Sequence, residues 1–250
     1  MNGSGMTDVG KVRHNNEDSI FVSNEPVGAL PNLYIVSDGM GGHNAGEVAS
    51  QKGIAFFRDY IEHMASMDGD VDIMEELARG ASYANEKVFE ISMTDHAFSG
   101  MGATFSLCVL DRGKLYAAHI GDSRIYLIKK DGGIERLSTD HTYVNEMVKA
   151  GEITENEARS HPQRHLITRA LGTEETLKID RIVKDVSSGD FALICSDGLS
   201  NMVQDDMISG IICESSGLNE KCERLLGLAN ENGGEDNISV VLIEVSEVSV

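Results

Sequence analysis

The sequence predicts an α+β layered fold in which pairs of helices cover antiparallel sheets. Three observations carry this: short apolar or alternating segments outnumber helical ones, the helical segments come in consecutive pairs, and hairpin turn signals rather than βαβ alternation join the strands. At 250 residues the chain is long enough to bury a core without staples. Its hydrophobic share of 41% and charged share of 25% are those of an ordinary globular protein.

Residues 1–18 read as polar, and Ile20-Phe21-Val22 opens a short strand. A turn with Pro26, Gly28 and Pro31 leads to Leu33-Tyr34-Ile35-Val36, an apolar run that reads as a buried strand stopping at Ser37-Asp38-Gly39. From Glu47 to Ala65 the spacing of Val48, Ile54, Phe57 and Ile61 is helical. A second helix over 71–92 places Ile73, Leu77, Tyr83, Val88 and Ile91 at similar spacing.

Residues 103–110, 114–120, 123–129 and 134–137 then read as strands of an antiparallel meander. Asp111-Arg112-Gly113, Gly121-Asp122 and Asp131-Gly132-Gly133 supply its turns. Residues 141–172 are polar and irregular, with Thr154 and Glu157 spaced as a capping box for a short helix. An insertion this long in a compact domain tends to be functional or mobile. Strands return at 178–184 and 191–196, helices at 205–215 and 219–231, and a last strand at 237–245. No linker, low-complexity tract or solenoid repeat appears, so residues 1–250 read as a single domain.

Lys and Arg number 21 against 41 Asp and Glu, a formal net charge of −20. This balance argues against nucleic acid and anionic lipid, both of which need a basic footprint. The cysteines Cys108, Cys195, Cys213 and Cys222 are scattered without a CxxC pair, as expected of reduced, mostly buried thiols. The N-terminus lacks the apolar core of a signal peptide, and no apolar run approaches the length of a membrane span. A soluble cytoplasmic protein with no membrane insertion is expected.

One device recurs along the chain. Leu33-Tyr-Ile-Val-Ser-Asp38-Gly39 is echoed by Phe191-Ala-Leu-Ile-Cys-Ser-Asp197-Gly198, an apolar strand ending in Ser-Asp-Gly. Asp18 precedes the strand at Ile20, Asp122 lies between two strands, and Asp236 precedes the strand at Ile238. Taken singly, each acid is ordinary turn or cap chemistry. Gathered at one edge of stacked sheets, they would repel by roughly 4 kcal/mol per pair about 4 Å apart at an effective dielectric near 20. Cations or protonation must relieve that. Hard oxygen ligands without Cys or His at metal spacing select Mg²⁺ or Mn²⁺, and a bridging carboxylate with terminal ones points to a two-metal hydrolytic site.

Thr7-Asp8-x-Gly10-x-x-Arg13-x-x-Asn16-Glu17-Asp18, VSDGMGGHNAGEVAS at 36–50, GATF at 102–105, GDSRIY at 121–126, DH at 140–141, CSDGLS at 195–200 and EDNIS at 235–239 resemble, in order, the motifs of the metal-dependent protein phosphatases of the 2C type. The resemblance spans essentially the whole chain and is greatest to compact bacterial members. It implies a central β-sandwich of two antiparallel sheets flanked by helix pairs, a four-layer α-β-β-α arrangement. It also implies hydrolysis of phosphoserine and phosphothreonine on proteins by attack of a metal-bound water, opposing a bacterial Ser/Thr kinase, in a protein expected to be a monomer.

Carried across by residue, Asp38 bridges two Mg²⁺ or Mn²⁺ ions, Gly39 gives its carbonyl to one, and Asp197 and Asp236 hold the other. Asp122 with Asp197 matches a third, weaker ion, while Glu17 and Asp18 bind ion-coordinated waters and Asn237 stands behind them. Arg13 clamps the substrate phosphate, a task suited to a planar guanidinium, against the competing reading of a surface arginine. His43 is the candidate general acid for the leaving alkoxide; the position two residues after the bridging acid, where animal relatives carry histidine, holds Met40, and a helix-capping His43 is the competing reading.

His14, His119 and His141 read as core or hydrogen-bonding residues. DGMGGHNAG lacks the Gly-Lys-Ser/Thr ending of a phosphate loop, and Asp59 falls inside a helix, which removes a dinucleotide fingerprint. Residues 141–172, with Arg164, His165 and Arg169, resemble the family's variable flap beside the site, or are a plain surface loop. The alternative function is a catalytically silent phosphoprotein-binding module of the same fold, against which stands the presence of Asp38, Asp197 and Asp236.

Overall fold

The computed structural model describes residues 2–42, 45–63, 71–94 and 96–246. The strands β1 (Asn2–Asp8), β2 (Asp18–Ser23) and β3 (Leu33–Met40) lead into helices α1 (Ala45–His63) and α2 (Ile73–Thr94). After a 3-10 turn at His96–Phe98 come β4 (Gly102–Ala103), β5 (Phe105–Asp111), β6 (Lys114–Ile120), β7 (Arg124–Ile128) and β8 (Ile134–Arg136). Helices α3 (Tyr143–Lys149) and α4 (Glu155–Ser160) precede β9 (Asp180–Asp185) and β10 (Phe191–Cys195). The chain closes with α5 (Asp197–Ser200), α6 (Asp205–Ile212), α7 (Leu218–Glu231) and β11 (Ile238–Glu244).

Two antiparallel sheets form the centre. One runs β1-β11-β10-β7-β8 and the other β2-β3-β5-β6-β9, with β4 paired to β3. The apolar runs are continuous because both faces of each sheet are covered. In β3, Leu33 and Ile35 pack under α1 and α2 with Phe57, Ile61 and Leu77, while Tyr34 and Val36 point into the space between the sheets. In β10 the same alternation sends Leu193 and Cys195 towards α6 and α7, and Ala192 and Ile194 inward. The fold is thus the four-layer α-β-β-α sandwich that the resemblance implies.

Four local expectations change. Residues 2–8, read as polar, are an edge strand paired with β11 over its whole length, Asn2 opposite Glu244 to Asp8 opposite Ile238. The polar appearance reflects close packing: a Cβ at Gly3 would sit 2.3 Å from the Tyr34 ring and one at Gly5 2.8 Å from Val22, so both positions are glycine. Secondly, β3 does not stop at Ser37 but continues through Asp38 and Gly39 to Met40.

Thirdly, the stretch over 103–137 is not one meander. β5 and β6 form a hairpin in one sheet, β7 and β8 a hairpin in the other, and the chain crosses between sheets at Gly121-Asp122-Ser123. Gly121 has φ +105, the left-handed region that lets the chain turn there. Fourthly, the irregular 141–172 stretch contains α3, N-capped by Thr142, as well as α4, whose Thr154–Glu157 capping box forms with both reciprocal bonds. Among the described residues no helix is long and apolar enough to cross a membrane.

Candidate metal centre

Strand periodicity delivers the acids. Tyr34 and Val36 face the gap between the sheets, so Asp38, two residues on, faces it too; Ile20 and Val22 do the same for Asp18. The β2–β3 register then puts Asp18 directly opposite Asp38. Like charges so placed are destabilising on their own. From the other sheet, Asp197 follows β10, Asp236 lies just before β11, and Asp122 sits at the crossing between β6 and β7.

Asp18 is buried, with 7% exposure, whereas Asp38, Asp122, Asp197 and Asp236 are half-buried and so reachable from solvent. Burial, reinforced by the charges of Asp18, Asp197, Asp122 and Asp236, holds the Asp38 carboxyl well above its ordinary pKa. Burial and then Asp197 and Asp140 do the same for Asp122. Asp197 is pushed up to about 6 by burial and Asp236, and Asp18 to about 7 by burial, against the lowering effect of its bonds to Ser239 and Ser196. The Oδ1 atoms of Asp18, Asp122 and Asp197 are buried without a hydrogen-bond partner. Buried oxygens of this kind are normally satisfied, so orphaned carboxylate oxygens from three separate segments call for cations.

The supporting contacts were not assigned roles from sequence. Thr104 grips the main chain of Asp38 from both sides: its N–H donates to the Asp38 carbonyl at 2.8 Å, and its Oγ1 accepts the Asp38 N–H at 2.9 Å. The same Oγ1 lies 2.7 Å from Ser123 Oγ, beside Asp122. Ser196 Oγ donates to Asp18 Oδ2 at 2.8 Å and accepts the Ser239 N–H at 2.9 Å, stitching the sheets together. Asn201 Nδ2 donates to Asp197 Oδ2 at 3.0 Å from the next turn of α5. The hydroxyls inside GATF, GDSR and CSDG were the available signal.

Asn237 is a hub. Its Oδ1 accepts the Glu17 N–H at 2.8 Å, and its Nδ2 donates to the Val9 and Asn15 carbonyls, each at 2.9 Å. It thereby fastens the loop carrying Arg13 and Glu17 to the start of β11. Glu17 is raised in pKa, chiefly by burial and opposed by Arg13. Gly39 is buried in a space with no room for a side chain, since a Cβ there would lie 2.1 Å from the Gly46 carbonyl oxygen and 2.6 Å from that of Glu17.

Arg13 Nη2 pairs with Asp236 Oδ2 at 2.7 Å, so the arginine is not an isolated surface residue. Among the described residues no three His, Cys, Asp or Glu side chains converge closely enough to hold one ion together. Asp236 accepts hydrogen bonds from Arg13 Nη2 and from the Asn237 N–H. His43 lies outside the described residues. His119 and His141 are buried and hydrogen-bonded, but His14 is exposed, contrary to its reading as a core or bonded residue. Within residues 141–172, Arg164 and His165 are exposed while Arg169 pairs with Asp180 at 3.3 Å.

An α-β-β-α sandwich in which acids from both sheets face one another matches the architecture implied by the resemblance to the metal-dependent phosphatases. Residues 11–239 match the family model described as protein phosphatase 2C. The chain is 37% identical to protein phosphatase PhpP of Streptococcus pneumoniae over 247 residues, 97% of this chain and 96% of that one. Its structure resembles that of the Mycobacterium tuberculosis serine/threonine phosphatase PstP/Ppp, with TM-score 0.86 and 36% identity over 98% of this chain and 99% of the other. It also resembles the catalytic domain of serine threonine protein phosphatase PstP in complex with two manganese ions, with TM-score 0.84 and 34% identity over 98% of each chain. The chain belongs to the protein phosphatase 2C family and is accordingly an enzyme, a protein phosphatase.

Proposed function

We propose that this protein hydrolyses phosphoserine and phosphothreonine esters on proteins at a centre of two Mg²⁺ or Mn²⁺ ions, as one catalytic domain opposing a bacterial Ser/Thr kinase in the cytoplasm. The observation that carries the proposal is the set of carboxylates from opposite sheets, three of them with an orphaned buried oxygen, that face one another. The relatives named above are serine/threonine phosphatases, and one holds two manganese ions, which supports both the substrate class and the metal.

The donor set fits such ions: hard oxygens, pKa values raised by burial and by neighbouring carboxylates, and unsatisfied lone pairs. Asp38 and the Gly39 carbonyl would hold one ion, Asp38 with Asp197 and Asp236 the other, and Asp122 with Asp197 a third. When bound, divalent ions neutralise this crowd of charge and lower the pKa of water, supplying the nucleophile the reaction needs.

The chain's own residues bind, orient and protonate. Arg13 engages Asp236 through Nη2 alone, and a guanidinium has further N–H groups in the same plane for the phosphate oxygens. Glu17 and Asp18, fixed by Asn237 and Ser196, would accept hydrogen bonds from water at the site. His43, which follows the end of β3 in sequence, is the proposed proton donor to the departing serine or threonine oxygen.

The test is hydrolysis of p-nitrophenyl phosphate with and without Mn²⁺, alongside an equilibrium count of bound Mn²⁺. Activity should require the ion and vanish in Asp38→Ala and Asp236→Ala. Hydrolysis that survives excess chelator would sink the proposal, and a folded protein that binds Mn²⁺ poorly and hydrolyses nothing would indicate the silent module instead.

A further inference from the structure

We propose that His141 is a positioning residue that aims Asp122 through the intervening Gly121 peptide; the inference rests on the function proposed above. Asp122 has little of its own to fix its direction, because its Oδ1 is buried without a partner. Its aim must come from the main chain that carries it, and His141 holds that chain by two bonds. The His141 N–H donates to the Gly121 carbonyl at 2.8 Å, and the Gly121 N–H donates to His141 Nδ1 at 3.0 Å. Gly121, with φ +105 and a Cβ position only 2.6 Å from Thr104 Cβ, has no room to shift towards Thr104.

The ring is itself set. Accepting the Gly121 N–H makes Nδ1 the unprotonated nitrogen, which places the ring proton on Nε2. Nε2–H then donates to Asp180 Oδ2 at 3.1 Å. Arg169 Nη1 lies 3.2 Å from the same Nε2 and, with the ring proton there, directs its own N–H to the other oxygen of Asp180 at 3.3 Å. The His141 side chain is 1% exposed, and the His119 ring lies alongside with centroids 5.1 Å apart.

The same residue knots the root of the flap. The Thr168 N–H donates to the His141 carbonyl at 2.8 Å, and Thr142 bridges Ile167, so both ends of the 142–168 excursion close on it. Asp180, Arg169, His141 and Gly121 form one chain of contacts ending at the peptide that presents Asp122.

Three substitutions separate the Gly121 bond from the packing of the ring. In His141→Asn the side-chain oxygen falls near the place of Nδ1 and accepts the Gly121 N–H. His141→Gln reaches towards Asp180 only, and His141→Leu does neither. Mn²⁺ alone is the probe, by equilibrium titration. His141→Gln and His141→Leu should lose about tenfold or more in affinity at the weakest Mn²⁺ site, the scale typical of supports behind metal ligands. KM for p-nitrophenyl phosphate should stay unchanged while the Mn²⁺ needed for activity rises, and metal-free protein should be nicked faster by trypsin within 142–168. His141→Asn should restore all three.

Wild-type Mn²⁺ affinity in His141→Gln and His141→Leu would overturn the inference. So would equal losses in all three variants, since the ring's bulk rather than its Nδ1 would then matter. If no His141 variant folds, Asp180→Ala, which removes the acceptor that keeps the ring proton on Nε2 and lets it move to Nδ1 against the Gly121 N–H, should weaken Mn²⁺ binding in the same direction, and unchanged binding there overturns the inference too. Wild-type protein that neither binds Mn²⁺ nor hydrolyses the ester overturns the proposed function and this inference together; active wild type with indifferent variants overturns the inference alone.

Discussion

Leu33–Gly39 and Phe191–Gly198 carry nearly the same residue pattern, yet the fold uses them differently. In the first, the strand runs on through Ser37, Asp38 and Gly39. In the second, the strand ends at Cys195 and Asp197 begins the short helix α5. Neighbours make the difference. Asp38 has Asp18 opposite on one side and the Thr104 main chain on the other, so its backbone stays extended. Beyond Cys195 the ladders to β7 and β11 run out, and the freed groups turn to helical partners, Asn201 N–H to the Asp197 carbonyl at 2.8 Å among them. The motif specifies an acid beside a glycine that cannot bear a side chain; the adjoining strands specify the path of the chain.

That contrast can be broken most severely at the acids. If Asp38 is shared between ions and Asp197 serves one side, Asp38→Asn should lose tight Mn²⁺ binding altogether and cut metal-dependent turnover by a factor on the order of 10³, the scale for removing one principal charge-stabilising group. Asp197→Asn should retain one ion. Equal Mn²⁺ counts in the two variants would show that the two elements are interchangeable after all.

The glycines should behave alike, despite their different backbones. A Cβ at Gly39 would meet the Gly46 carbonyl oxygen at 2.1 Å, and one at Gly198 the Asn237 carbonyl oxygen at 2.0 Å. Both contacts are with main chain, which yields poorly, so Gly39→Ala and Gly198→Ala should each lose about 1–3 kcal/mol in denaturant unfolding. A tolerant Gly198 would mean that α5 relaxes where β3 cannot.

Arg13 reaches across to the second group of acids through Asp236. Its removal should cost about 2 kcal/mol, the scale of a hydrogen bond to a charged group, or roughly 30-fold in kcat/KM. Arg13→Lys should recover only part of this, because a point charge cannot match two phosphate oxygens at once.

A pH titration sharpens the comparison without any substitution. In metal-free protein Asp197 titrates near 6 and Asp18 near 7, with Asp38 and Asp122 also raised, all above the ordinary aspartate value. The folded chain then binds more protons than the unfolded chain between about pH 4 and 7, so stability falls as pH rises through that window. With chelator, melting temperature should be several degrees higher at pH 5 than at pH 8, and Mn²⁺ should offset the loss at pH 8. A metal-free protein equally stable at both would contradict the crowding of these acids. The smallest effect should come from Thr154→Ala, which removes the α4 capping box at a cost of about 1 kcal/mol to that helix and leaves turnover of p-nitrophenyl phosphate unchanged.

Much of this was legible in the sequence. The helix pairs, the buried strands and the five acids follow from apolar periodicity and from strand-end Asp residues, which are local properties. The edge strand at 2–8 was hidden because packing against Tyr34 and Val22 leaves room only for glycine at positions 3 and 5, which makes the segment look like a tail. The sheet-to-sheet crossing at 121–123 was hidden because a turn signal does not say which sheet the next strand joins. Thr104, Ser196 and Asn201 were hidden because a hydroxyl or amide has value only when a particular partner lies within hydrogen-bond reach.

The sequence by itself determined which residues supply charge and which runs are buried, since composition and period alone fix these. Only the tertiary structure decided that Asp18 and Asp38 stand face to face, that Arg13 is spoken for by Asp236, and that His141 grips the peptide in front of Asp122. Those are pairings between segments up to 223 residues apart, set by strand register and sheet stacking, and no local pattern encodes a distance across the core.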